Sequence, residues 1–125
     1  MDAAPSATLG LPRSRRIKQG RDFHRAKTQG KRVVNGSLIA NWFVLPAGTP
    51  ARLGVITGRR IGKAVIRTRV RRLLREAYRL NQLRLTDPVD LVLVARPSIV
   101  GKTFAEIETD LLTALNRARL LKQTD

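Results

Sequence analysis

Apolar and polar positions recur along this chain with different periods, and the periods divide it into elements. Between Gly20 and Gly30 no breaker interrupts Asp22-Phe23-His24-Arg25-Ala26-Lys27, which predicts a helix of roughly two to three turns closed by a glycine. Ser37–Leu45 is apolar and rich in β-formers, and Pro46-Ala47-Gly48-Thr49-Pro50 separates it from Arg52–Thr57; the two read as an antiparallel strand pair. Val89–Ala95 follows Asp87-Pro88, and its run Leu91-Val92-Leu93-Val94 predicts a central strand buried on both faces.

Two longer segments have helical periodicity. Within Gly62–Asn81, at about 100° per residue, Ile66, Val70, Leu73, Leu74, Ala77 and Leu80 are expected on one face, with Arg67, Arg71, Arg72, Arg75 and Arg79 on the opposite one. Thr103-Phe104-Ala105-Glu106 is a capping-box pattern, and Phe104, Ile107, Leu111, Ala114, Leu115 and Ala118 continue at helical spacing to an end near Leu120. The elements describe an α+β domain with helices packed on a small sheet. Residues 1–14, opening MDAAPSATLGLP, are aperiodic and read as a disordered tail ahead of a domain over 15–125.

Length agrees with one domain: 125 residues hold a single core. With 42% hydrophobic but 4% aromatic residues, that core must rest on Leu, Val, Ile and Ala. The absence of cysteine excludes disulfides and thiolate chemistry, and His24, the single histidine, leaves no histidine cluster for a metal or a nucleophilic pair. No apolar run reaches a membrane span, and the first residues lack the apolar core of a secretory signal, so a cytoplasmic protein is expected.

Charge changes the picture most. Twenty-five Lys and Arg against nine Asp and Glu give a net charge of +16, a self-repulsion that a polyanion would relieve. The cations fall in two blocks, 13–32 and 59–79, the second with Glu76 as its one acid. Charged helix faces are usually solvated, but those interleave Glu with Lys, whereas this one is almost purely Arg, whose planar fork suits phosphate. Like charges spaced i,i+4 repel by a few tenths of a kcal/mol per pair. Polyanion binding is therefore the favoured reading, and charge alone leaves RNA and DNA both open.

The order of residues is more specific. Arg59-Arg60, Gly62-Lys63-Ala64-Val65, Arg67-Thr68-Arg69 and Arg71-Arg72-Leu73-Leu74-Arg75-Glu76-Ala77 resemble, in order and spacing, the signature of the bacterial ribonuclease P protein subunit. The resemblance runs over about residues 15–121, taking in Arg16-Ile17-Lys18, Asp22-Phe23, Arg52-Leu53-Gly54-Val55 and Asp90–Arg96. It departs from the family pattern at Thr68, where Asn is usual, at Lys27, where an aromatic is common, and at Ile56-Thr57-Gly58.

The resemblance implies a fold of about four mostly antiparallel strands and three helices in the order α-β-β-β-α-β-α, with a left-handed βαβ crossover carrying the Arg-rich helix. It implies a subunit that joins a catalytic RNA and assists endonucleolytic removal of the 5′ leader from precursor tRNA. The chemistry would then belong to the RNA and magnesium, with no catalytic residue, metal or cofactor on the protein. Arg59, Arg60, Lys63, Arg67, Thr68, Arg69, Arg71, Arg72, Arg75 and Arg79 would contact the catalytic RNA. Arg16, Phe23, Lys27, Ile39 and Asn41 would form a cleft for the single-stranded leader, Phe23 stacking on a base, with a core anchor as its other reading.

Trp42 and Phe43 face oppositely in a strand, so at most one lines that cleft and the other is core. His24 reads as a surface residue, Glu76 as an intrahelical ion-pair partner, and Tyr78 as packing; Gly62-Lys63 lacks the spacing of a phosphate loop. Two rival functions remain at this point, a structural RNA-binding protein such as a ribosomal protein and a stand-alone nuclease.

Overall fold

The computed structural model describes residues 10–122. Its elements are α1 (Gly20–Thr28), β1 (Lys31–Asn35), β2 (Leu38–Val44), β3 (Arg52–Ile56), α2 (Ala64–Asn81), β4 (Val89–Ala95) and α3 (Phe104–Arg117), with short 3-10 turns before α1 and in the connections from β3 to α2, α2 to β4 and β4 to α3. The order is thus α-β-β-β-α-β-α, and the four strands form one mixed sheet in the spatial order β1-β2-β4-β3.

β4 is central because it is apolar on both faces. It runs antiparallel to β2, Leu38 opposite Ala95 through Val44 opposite Val89, and parallel to β3, Arg52 opposite Asp90 through Ile56 opposite Val94. The expected pairing of Ser37–Leu45 with Arg52–Thr57 is therefore corrected: β4 lies between them, and β2 pairs instead with β1. The Pro-rich connection supplies the reason. Leu45 N–H donates to Pro88 O at 2.9 Å, so the connection turns at the start of β4 and delivers β3 to its far side.

The two-residue period splits the sheet into two unlike faces. Leu38, Ala40, Trp42, Leu53, Leu91 and Leu93 point to one side and pack against Val70, Leu74, Ala77, Ile107, Leu111 and Leu115 of α2 and α3. Val92 points to the other side, where a smaller cluster with Ile17 and Ala26 seats α1, and Phe23, Phe43, Ile56 and Val94 pack around it half-buried. Trp42 is therefore core, and Phe43 belongs to the α1 face.

A charged network fastens α1 to that face. Asp90, fully buried on β4, accepts from Arg52 Nε at 2.8 Å and Arg52 Nη2 at 2.6 Å, and from Arg25 Nη2 at 3.0 Å. Asp22 completes it at 3.4 Å from Arg52 and 3.6 Å from Arg25, and the Arg25 guanidinium lies 4.6 Å from the centre of the Phe43 ring. These carboxylates hold the Arg52 guanidinium above its ordinary pKa, chiefly through the Asp90 hydrogen bond.

α3 starts as its sequence signals, with Thr103 and Glu106 forming both arms of the capping box, and these bonds hold the Glu106 carboxyl below its usual range. It ends at Arg117, three residues before the expected Leu120, where Arg119 takes a positive φ of 61° and Leu120 N–H turns back to Leu115 O. Asp110 ties this helix to the β1–β2 hairpin. Burial pushes its carboxyl up, but the Ser37 hydroxyl at 2.6 Å, the Ser37 N–H at 3.0 Å and Lys102 Nζ at 3.2 Å outweigh that and keep it low.

Residues 1–9 of the expected tail lie outside the described residues, and the rest of it touches the domain. Leu11 packs against the main core, Gln82 Nε2 donates to Gly10 O at 2.9 Å, and Arg13–Arg15 forms a 3-10 turn.

Candidate nucleic-acid interface

α2 carries six arginines, nearly a third of those in the chain, and its rotation about the core decides where they point. Val70, Leu74, Ala77, Tyr78 and Asn81 are buried, whereas Leu80, expected in the core, is 41% exposed. Leu80 lies about 120° around the helix from Leu74, while Tyr78 and Asn81 lie within about 40° of it. Asn81 is drawn inward by bonds to Ala77 O at 2.8 Å and Glu108 Oε2 at 2.9 Å. The Tyr78 phenol, the single tyrosine, is pushed up to about 12 by burial.

The arginine ridge is consequently not the straight stripe opposite the core that its four-residue spacing suggests. Four residues advance the helix by 400°, so Arg67, Arg71, Arg75 and Arg79 drift by about 40° per step around the cylinder. All four are half-buried on the flank of α2, while Thr68, Arg69 and Arg72 occupy the exposed face. Arg71 Nη1 donates to the Thr57 hydroxyl beyond the end of β3 at 2.7 Å, and Arg71 Nη2 to the Thr68 hydroxyl at 3.3 Å. Thr57 and Thr68 are thus both partners of the ridge.

Arg79 is held by Glu76 through two bonds, Nε to Oε1 at 2.9 Å and Nη2 to Oε2 at 2.7 Å, which lower the Glu76 pKa and raise that of Arg79. Ahead of the helix, Arg59 and Arg60 stand exposed on a 3-10 turn and Lys63 is exposed at the N-cap. Between them Gly62 has φ of 139°, a conformation that a side chain rarely takes, so the turn that aims these cations at the start of α2 needs glycine here.

Two adjoining clefts receive these side chains. One, of about 420 Å³, lies between α2 and the N-terminal segment and is lined by Leu11, Arg16, Thr68, Arg71, Arg72, Arg75, Glu76 and Arg79. The other, of about 330 Å³, lies along the outer edge of β3, where Arg13, Arg16, Lys18 and Arg75 surround Phe23 and the Leu53-Gly54-Val55 backbone. The N-terminal segment reaches that edge because Arg16 bridges Leu53 in parallel and Ile17 N–H donates to Leu53 O at 2.8 Å. Ile17 turns inward and Arg16 remains exposed.

The five residues expected to form a leader cleft are thus divided. Phe23, Ile39 and Asn41 share the α1 face, since Ile39 and Asn41 pair with Val94 and Val92, and Phe23 packs on the same cluster. Asn41 is buried and Ile39 half-buried. Lys27 is exposed one turn beyond Phe23, and Arg16 stands at the β3 edge with Arg75. Missed from the sequence were Ile56 and Val94, apolar and half-buried on the same face, and Arg13 and Lys18 in the edge cleft. Strand alternation signals the first pair once β4 is known to adjoin β3; only the docking of the N-terminal segment brings in the second.

His24 is exposed on α1. Among the described residues no group of three or more His, Asp or Glu converges as a metal site would require, and no helix is long and apolar enough to cross a membrane.

The sequence matches the Ribonuclease P family over residues 11–119. It is 34% identical over 113 residues to the ribonuclease P protein component of Symbiobacterium thermophilum, covering 90% of this chain and 98% of that one. With the corresponding protein of Alkaliphilus oremlandii it shares 35% over 107 residues, 85% of this chain and 92% of that one. The fold is similar to the RNase P protein of Staphylococcus aureus, with a TM-score of 0.78 and 25% identity over 86% of this chain and 98% of that one. It is similar also to that of Thermotoga maritima, with a TM-score of 0.73 and 26% identity over 82% and 96%.

Proposed function

Because the chain belongs to the bacterial ribonuclease P protein family and is the protein subunit of the endoribonuclease that processes the 5′ leader of precursor tRNA, we propose that it works by holding two RNAs at once. The α2 flank with Arg67, Arg71 and Arg75, its exposed face with Thr68, Arg69 and Arg72, and Arg79 take phosphates of the catalytic RNA, with Arg59, Arg60 and Lys63 extending the surface. The α1 face, with Phe23 and Ile39 over the buried Asn41 and with Lys27 at its rim, takes the single-stranded leader, and Arg16 guards the adjoining edge.

Division of labour follows from the chemistry of the two surfaces. Guanidiniums recognise phosphate without regard to sequence, as a subunit seated on a folded RNA requires. A half-exposed ring beside apolar side chains offers a stacking platform to an unpaired base. The observation that carries this reading is the position of Phe23, half-buried over the sheet and bordered by the cationic edge cleft. In this reading the catalytic RNA and magnesium supply the hydrolytic chemistry, residues 15–125 form the RNA-binding domain, and the protein works beside its RNAs in the cytoplasm.

Reconstitution tests it. Purified chain alone should leave precursor tRNA intact, and addition of the catalytic RNA with magnesium should yield a mature 5′ end, with precursor bound more tightly than mature tRNA. Cleavage by RNA-free protein, or equal affinity of the holoenzyme for both tRNAs, would overturn the two-surface reading.

A further inference from the structure

The two clefts share two walls. Arg16 and Arg75 line both the cleft beside α2 and the cleft along the β3 edge, and Arg71 joins them in the first. These cations come from distant parts of the chain. Arg16 is carried to the edge by its bridge to Leu53, while Arg71 and Arg75 are successive members of the α2 flank.

Their electrostatics are unbalanced. Among the described residues no carboxylate forms an ion pair with Arg16, Arg71 or Arg75. Glu76, the acid of this cleft, is engaged by both bonds from Arg79, and the acceptors of Arg71 are the neutral hydroxyls of Thr57 and Thr68. Burial, with the charges of Arg16 and Arg71, lowers the pKa of the Arg75 guanidinium, so the fold gathers three like charges at unfavourable cost. An anion placed among them removes that cost and gains charge-assisted hydrogen bonds.

The position selects the anion. β3 is the edge strand of the sheet, with Phe23 on the α1 side and the α2 flank on the other, and the edge cleft spans both through Gly54 and Val55. A chain of regularly spaced phosphates lying over this edge would keep a base beside Phe23 and a phosphate among the arginines. We propose that Arg16, Arg71 and Arg75 together hold one backbone phosphate of an RNA strand crossing the β3 edge, making the leader cleft and the α2 surface one continuous site. This rests on the two-surface reading above and adds to it a shared phosphate. The strand is either the precursor's leader or a single-stranded stretch of the catalytic RNA.

Double-mutant cycles with Arg16→Ala and Arg75→Ala test it in the reconstituted holoenzyme, with circular dichroism establishing that each variant is folded. Affinity is measured against salt for precursor tRNA, mature tRNA and the catalytic RNA. Each single variant should lose about tenfold in affinity and reduce the log K against log salt slope by about 0.7, the value for one single-strand contact. The double variant should lose little more than either single one, because one phosphate is lost only once. Loss confined to precursor tRNA identifies the leader as the strand, and loss confined to binding of the catalytic RNA identifies that RNA. Additive losses with a slope change near twice the single value, or no loss in any arm, would overturn the shared phosphate. If the unmutated holoenzyme itself fails to distinguish precursor from mature tRNA, the two-surface reading falls as well.

Discussion

The Phe23 ring of α1 occupies the space that a side chain on Gly54 of β3 would need: a Cβ there would overlap ring atoms Cε1 and Cζ. The glycine therefore acts by close approach. It lets an aromatic residue of the first helix settle onto the edge strand while keeping the ring half-exposed.

Phe23→Ala is expected to weaken precursor tRNA binding by the equivalent of about 1–3 kcal/mol, the worth of one stacked base, with mature tRNA affinity unchanged. Because the ring is half-buried, its thermal midpoint should fall less than for a core truncation of about 3–5 kcal/mol. Gly54→Ala should show the same selective loss, since it dislodges the ring without deleting it. Equal weakening toward precursor and mature tRNA would identify Phe23 as a packing residue only.

Arg67→Ala, Arg71→Ala and Arg75→Ala combined should flatten the salt dependence of catalytic RNA binding by roughly 0.7–0.9 per lost phosphate contact. All three side chains are half-buried, so denaturant titration must accompany the binding measurement. A folded triple variant with unaltered slopes toward the catalytic RNA and precursor tRNA alike would assign the ridge to solvent.

Asp90→Asn should cost about 3 kcal/mol, at the lower end for breaking a buried ion pair because its arginine partners are partly solvated. The loss should exceed that of Asp22→Asn, whose ion-pair distances are longer. Equilibrium unfolding in urea measures both, and equal losses would contradict the central place of Asp90.

Tyr78 gives a pH dependence that absorbance can follow, since it is the single tyrosine. Its folded pKa of about 12 exceeds the ordinary value of 10.0. The folded state therefore binds the phenolic proton more tightly, and this contribution to stability, complete below about pH 10, is lost as pH rises through about 12. The loss amounts to roughly 2–3 kcal/mol. Phenolate absorbance in folded protein should appear near pH 12, whereas titration near 10 would show Tyr78 to be solvated; Tyr78→Phe should abolish this part of the alkaline sensitivity.

Element type followed from short-range chemistry. The run Leu91–Val94 determined by itself that β4 is central, because only a strand covered on both faces can hide four consecutive apolar residues. Thr103 and Glu106 determined the start of α3 because a capping box closes within one turn. The spacing of Arg59–Arg79 marked the family and the cationic helix. Tertiary structure alone decided the strand order, which separates β2 from β3, because register depends on partners distant in sequence. It also turned Tyr78 inward and Leu80 outward, since helical period sets the angles among residues but not the angle at which a helix meets its sheet. For the same reason the sequence could count the cations but not place Arg16 beside Arg75: 59 positions separate them, and only the pairing of the N-terminal segment with the edge of β3 brings them to one cleft.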